Sequence, residues 1–259
     1  MAADPILRIE GVAKRFPAPD GGEIEALRAA DLAIAPGEFV CLIGASGCGK
    51  STLLRIVAGF ETPSEGRVVM AGAPVAGPGP DRGMVFQDYG LFPWLTVRQN
   101  IGFGPAARGL PRAQVADIAE RFTEMVGLAR FADAFPHQLS GGMKQRVAIA
   151  RVLANEARVV LMDEPFGALD AMTRERLQAE LLDIWAAQSL TVIFVTHAIE
   201  EAILLADRVI AMSPGPGRII ADRRIDLPRP RDVASAPFNE LRRDLGALLH
   251  GEKRIKVAA

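Results

Sequence analysis

The chain has 259 residues, with 30 Lys+Arg against 31 Asp+Glu, a formal net charge of -1 and 49% hydrophobic residues. That balance excludes a largely disordered chain and a uniformly basic nucleic-acid binder, and the length suits one large domain or two small ones. Two cysteines, Cys41 and Cys48, can build neither a disulfide framework nor a four-thiolate metal site.

The N-terminal stretch MAADPILRIEG has no basic segment leading into an apolar one, so no secretory signal is expected. No run approaches the roughly 18 to 20 apolar residues of a membrane span, so any role at a membrane is expected to come through a partner. Continuous apolar runs at 39–43, 159–162, 191–195 and 208–212 predict strands buried on both faces, as in a parallel sheet. Between them, 173–188 carries Leu177, Leu181, Ile184 and Trp185 at helical spacing. This alternation predicts an α/β domain with a mostly parallel sheet. The stretch 88–139 lacks such runs and reads as a helical insertion, with helices expected at 96–103, 112–126 and 130–135. Ser213-Pro214-Gly215-Pro216-Gly217 predicts a loop. Phe238, Leu241, Leu245 and Leu248 then mark one face of an amphipathic helix. Residues 222–256 hold nine Lys/Arg and six Asp/Glu, and the reading favoured is a solvated helix packed on its own domain.

Gly44-Ala45-Ser46-Gly47-Cys48-Gly49-Lys50-Ser51 fits the pattern G-x-x-x-x-G-K-[ST] directly after the predicted strand 39–43, and a helical pattern from Thr52 follows it. Strand, loop and helix are the context in which backbone N–H groups and a helix N-terminus converge on phosphate oxygens. Lys50 then supplies a positive charge to the β- and γ-phosphates, and the Ser51 hydroxyl a ligand for Mg²⁺. A nucleoside triphosphate site is predicted, with kinase, GTPase, motor and transport ATPase all open. Asp163-Glu164 follows the run 159–162, so both carboxylates leave a strand at its C-terminal end, where open α/β sheets bind ligands. Asp163 is placed to hold Mg²⁺ through water, and Glu164 to act as the base toward an attacking water. Ser140, followed by Gly141 and Gly142, opens a helix running to about residue 153, and exposed N–H groups beside a hydroxyl make an anion site.

Leu139-Ser140-Gly141-Gly142-Met143-Lys144-Gln145-Arg146 resembles the signature of ATP-binding-cassette (ABC) ATPases. Phe16, the phosphate loop, Gln87, the signature, Asp163-Glu164, Gly167-Ala168-Leu169-Asp170 and His197 follow one another in that family's order. The resemblance implies a P-loop NTPase (RecA-like) core with an N-terminal antiparallel β portion and an inserted helical subdomain. It implies one ABC domain over 1–259: a catalytic core at 1–87 and 151–212, a helical subdomain at 88–150 and a short extension at 213–259. By the same resemblance Phe16 stacks on adenine and residues 44–52, through Thr52, cradle the phosphates. Gln87 touches Mg²⁺ and reports on the γ-phosphate, while His197 contacts the γ-phosphate and positions Glu164. His137 and His250 have no comparable context. Phe16 stands where Tyr is common, and Met143 where Gln is commonest. About 90 residues separate the single phosphate loop from the single signature. In the family ATP lies between one copy's loop and the other's signature, implying a head-to-tail homodimer in which Asp170 touches the partner copy.

Gln87 is followed by Asp88-Tyr89-Gly90-Leu91-Phe92-Pro93-Trp94-Leu95, an aromatic segment suited to grip a partner's helix, or else the insertion's own core. Phe92-Pro93-Trp94-Leu95-Thr96-Val97, Gly142-Met143-Lys144-Gln145-Arg146 and Pro216-Gly217-Arg218 resemble importers of nitrate, aliphatic sulfonates and taurine. That implies a peripheral subunit on the cytoplasmic face of an inner membrane, with permease subunits and an extracytoplasmic solute-binding protein as partners and no nucleic acid. The alternative is a non-transport ABC ATPase acting on nucleic acid, ribosomes or cofactor assembly; a P-loop kinase is disfavoured by the signature and His197.

Overall fold

A computed structural model describes residues 4–167 and 169–256, without the side chains of 250–256; Ala168 and the His250 side chain lie outside the described residues. In chain order the first elements are β1 (Leu7–Pro17), β2 (Glu23–Ile34), β3 (Phe39–Gly44), α1 (Lys50–Ala58), β4 (Glu65–Met70), β5 (Ala73–Pro74) and β6 (Arg82–Val85). Then come α2 (Val97–Ala107), α3 (Arg112–Met125), α4 (Gly141–Ala154), β7 (Val159–Asp163) and α5 (Ala171–Gln188). The chain closes with β8 (Thr191–Thr196), α6 (Ile199–Leu205), β9 (Arg208–Met212), β10 (Ile219–Arg224) and α7 (Ala236–Lys256). It divides into two compact units, residues 1–78 with 189–259, and residues 79–188.

The first unit contains two sheets. One is antiparallel, in the order β2-β1-β4-β5. Its strands are half-exposed and its β1–β2 ladder is broken by bulges, one next to Gly11, which sits at φ 56° and donates its N–H to Asp31 Oδ1 at 2.8 Å. The other runs β10-β9-β3-β8, with β3 parallel to both β8 and β9 and β10 antiparallel at the edge. Every residue of β3 and of β8 is buried, which is why both read as unbroken apolar runs. Leu53, Leu54, Ile56 and Val57 of α1 are buried in the same unit. Phe238 and Leu245 of α7 are 1% exposed, and α7 packs on α6 and β9, so the C-terminal helix folds onto its own unit as its spacing predicts.

In the second unit β6 and β7 pair in parallel, and α2, α3 and α4 pack on one another. Thr96 caps α2 through a capping box with Gln99, and Ser140 caps α4, its hydroxyl accepting the Met143 N–H at 3.3 Å. The helix expected at 130–135 does not form. Only a 3₁₀ turn, Ala129–Phe131, stands there, because Pro136 drives Phe135 into extended backbone (φ -88°, ψ 157°) and stops propagation.

Candidate active site

In the first unit, strand register sets the site. Ile43 is paired with Thr196, so β3 and β8 release the chain at one level, Gly44 into the loop 44–49 and His197 into an exposed turn. The Thr196 hydroxyl fixes that turn by accepting the Ala198 N–H at 3.0 Å. The loop itself ends at Gly49, in the left-handed region at φ 90°. A Cβ there would lie 2.5 Å from Leu27 Cδ2, so glycine is demanded by both conformation and space. Helix α1 begins at Lys50, two residues earlier than the sequence pattern suggests, so the loop runs directly into a helix N-terminus. Lys50 is 4% exposed, and its ammonium donates to Gly44 O at 2.9 Å and Ala45 O at 3.1 Å, with Cys48 Sγ at 3.7 Å. The loop therefore wraps a positive charge next to a helix N-terminus, a geometry that favours an anion. Ser46, Gly47, Ser51 and Thr52 belong to the same loop and first helical turn. Phe16 lies near the end of β1, opposite Ile24 of β2; the Lys14 ammonium is 4.9 Å from one face of its ring.

The second unit repeats the device. Val85 is paired with Met162, so Gln87 and Glu164 emerge abreast at the C-terminal end of the parallel pair β6–β7. Asp163, the last residue of β7, is 8% exposed, and Glu164 follows at φ 45°, a strained conformation for a residue with a Cβ. Gly141 and Gly142 begin α4 where neighbours crowd it: a Cβ on Gly142 would meet Thr173 Cγ2 at 2.9 Å, and one on Gly141 would meet the Tyr89 hydroxyl at 3.2 Å and Leu169 Cδ2 at 3.3 Å. The signature helix, the segment after Gln87 and the start of α5 thus converge within this unit. Asp170 caps α5, accepting the Thr173 N–H at 3.0 Å, and that bond with the Thr173 hydroxyl holds its carboxyl below the usual carboxylate range.

The aromatic segment forms a small exposed cluster. Phe92 lies 4.5 Å from Phe103 and 5.6 Å from Trp94 between ring centroids, and Trp94 is 69% exposed. Of the two readings of this segment, Trp94 fits a surface anchor, whereas half-buried Phe92 belongs to local packing as well. Sequence reasoning passes over what holds it. Asn100, with no exposed surface, accepts the Phe92 N–H at 2.9 Å and donates toward Phe92 O, Leu95 O and Thr96 O at 3.0–3.2 Å. The available signal is an amide four residues past a capping threonine, on the face of α2 that carries Val97 and Ile101.

The family model described as ABC transporter matches residues 27–167. The ABC transporter ATP-binding protein MJ0412 of Methanocaldococcus jannaschii is 51% identical over 95% of this chain and 92% of its own length. The nitrate import ATP-binding protein NrtD of Synechocystis is 48% identical (86% and 84% covered), and the taurine import ATP-binding protein TauB of Ruegeria pomeroyi 47% (85% and 82%). Among solved structures, the dimeric post-hydrolysis state of the ATP-binding cassette MJ0796 with ADP and Pi superposes with a TM-score of 0.75 at 32% identity, covering 85% of this chain and 99% of that one. With a P-loop core, a capped signature helix and relatives of this closeness, the chain belongs to the ABC transporter family, as one of its ATP-binding and ATP-hydrolysing subunits.

Proposed function

We propose that the chain drives an importer of a small anion such as nitrate, a sulfonate or taurine, hydrolysing ATP between two head-to-tail copies of itself. The observation that carries this reading is the paired strand register: His197 leaves its sheet level with the phosphate loop, and Gln87 level with Glu164. Each unit thereby presents its polar residues at the C-terminal ends of parallel strands, where open α/β sheets bind ligands. Two relatives named for nitrate and taurine import, at 48% and 47% identity, support the solute class.

Residue by residue, the free face of Phe16 receives adenine, and Gly44, Ala45, Ser46, Gly47, Cys48, Gly49, Lys50, Ser51 and Thr52 surround the phosphates. Among the described residues no three His, Cys, Asp or Glu side chains cluster as a metal cage. The donor set fits Mg²⁺, which keeps water and substrate oxygens and needs only one or two protein carboxylates. Ser51, Gln87 and Asp163 would hold it, and when bound it neutralises charge on the β- and γ-phosphates. Glu164 takes a proton from the attacking water, and His197 donates to the γ-phosphate, leaving ADP and phosphate. Ser140, Gly141, Gly142 and Asp170 act on the nucleotide of the second copy, which makes ATP the bridge that closes the dimer. Residues 88–150 form the helical subdomain, whose Trp94 cluster engages a permease at the cytoplasmic face of the inner membrane. A solute-binding protein on the far side delivers the anion.

Glu164→Gln tests this. The carboxamide keeps the shape and loses the base, so turnover falls by about 10²-fold or more while ATP stays bound. Light scattering then shows twice the monomer mass with ATP and monomer with ADP. Wild-type turnover places the base elsewhere, and an ATP-bound monomer overturns the two-copy site.

A further inference from the structure

The turn that follows Gln87 is strained. Tyr89 and Gly90 both sit in the left-handed region, at φ 66° and 55°, and a tyrosine pays for that conformation with contact between its Cβ and its own backbone. Something must hold it, and the backbone contributes the Tyr89 N–H to Phe86 O bond at 3.0 Å. Further restraint comes from α4. Arg151 Nη1 donates to Gly90 O at 2.7 Å and Nη2 to Tyr89 O at 3.3 Å, while the guanidinium carbon sits 5.4 Å from the centroid of the Phe92 ring. One planar fork thus holds two successive carbonyls and one aromatic face, which a lysine cannot reproduce. At the other end of the same helix, the Tyr89 hydroxyl lies against Gly141. Burial pushes the Arg151 guanidinium's pKa down, the mark of a charge kept from water.

We propose that Arg151 is a positioning residue that locks the turn after Gln87 to the signature helix, so that the γ-phosphate reporter, the Phe92–Trp94 cluster and Ser140 shift as one body. The inference rests on the reading of Gln87 as that reporter. Through this lock a movement of the aromatic cluster by a membrane partner reaches the nucleotide, and nucleotide closure reaches the cluster.

The test compares Arg151→Met, Arg151→Lys and Gln87→Ala in the full chain, reading ATP affinity, kcat and amide hydrogen exchange. With the charge-assisted bonds gone, Arg151→Met exchanges residues 88–92 about tenfold faster and loses about tenfold in kcat, with ATP affinity within about twofold of wild type. Arg151→Lys, keeping one bond, falls between. Exchange in α4 stays at the wild-type level. Faster exchange throughout α4 makes Arg151 a merely structural residue and overturns the inference. So does wild-type kcat in Arg151→Met when Gln87→Ala is impaired. Wild-type kcat in Gln87→Ala overturns the reading of Gln87, and the inference with it, whatever Arg151→Met does.

Discussion

Replacing Asn100 by alanine should loosen the Phe92–Thr96 loop by an amount the structure allows to be worked out. The side chain has no exposed surface; its oxygen accepts one N–H, and its two amide hydrogens are shared among three carbonyls at 3.0–3.2 Å. Three bonds are therefore the most it makes at once. At about 1 kcal/mol net for each, alanine costs about 3 kcal/mol. With an unfolding entropy of about 2.1 cal/mol/K per residue, a cooperative transition of the whole chain then moves down by about 5–6 °C. Asn100→Asp sharpens the test. It is nearly isosteric and still accepts the Phe92 N–H, but it turns a carboxylate oxygen toward carbonyls that now lack a donor, so it should destabilise more than alanine does. Thermal unfolding followed by circular dichroism, with hydrogen exchange at Phe92, reads both variants. If Asn100→Asp melts within about 1 °C of wild type, the amide is a filler of space and the hydrogen-bond reasoning is wrong.

Lys50→Ala removes the charge enclosed by the loop; with charged hydrogen bonds worth about 1.5–3 kcal/mol, ATP affinity should fall by roughly 10- to 100-fold in a fluorescent-nucleotide titration, and binding within twofold of wild type would refute the loop assignment. Asp170 makes a pH prediction. Its folded pKa is depressed by the Thr173 donors, so its contribution to stability is complete above the unfolded carboxylate value and is lost as pH falls through the folded one. Asparagine caps a helix nearly as well but does not titrate, so the melting difference between wild type and Asp170→Asn should be flat from neutral pH to about 5 and should shift in asparagine's favour below about 4. Parallel curves across that range would show that the Thr173 bond carries no titrating contribution.

Among the strands, those legible from pattern are the ones whose burial is nearly complete. Strands β3, β7, β8 and β9 are covered on both faces, so their apolar runs survive any register, and the motifs that follow them could be placed at strand ends. Strands β1, β2 and β4 were not legible from pattern. The bulges between Ile9 and Arg15 shift the alternation of β1, and the exposed Glu65, Gly66 and Arg67 hide the start of β4. Gln87, Glu164 and His197, candidates named from motif order and family resemblance, follow the ends of parallel strands, whereas Arg231 shows what spacing does not announce. Arg231 is 8% exposed, and its guanidinium, pulled down to about 10 in pKa chiefly by burial, donates to the carbonyls of Ile203, Leu204, Ala206, Ile225 and Leu227. Those acceptors are backbone groups at the end of α6 and beyond, which any sequence would supply, so no spacing rule announces the arginine that collects them.

Two kinds of restraint therefore place the candidate groups. Gln87, Glu164 and His197 are delivered by parallel ladders, and a ladder is made of backbone; conservative substitutions inside β3, β6, β7 or β8 cost packing free energy before they move a strand end. The segment 89–96 has no ladder. Its geometry depends on Arg151 at one end and Asn100 at the other, two polar side chains whose bonds all run to main-chain atoms of that segment or its immediate neighbours. Arg151 holds the carbonyls of Tyr89 and Gly90, and Asn100 shares its two amide hydrogens among those of Phe92, Leu95 and Thr96. Tyr89, a residue with a Cβ in the left-handed region, is strained, and the donors from α4 hold it against that strain. Trp94, 69% exposed, is thus mounted on a segment held by side chains rather than by a strand ladder.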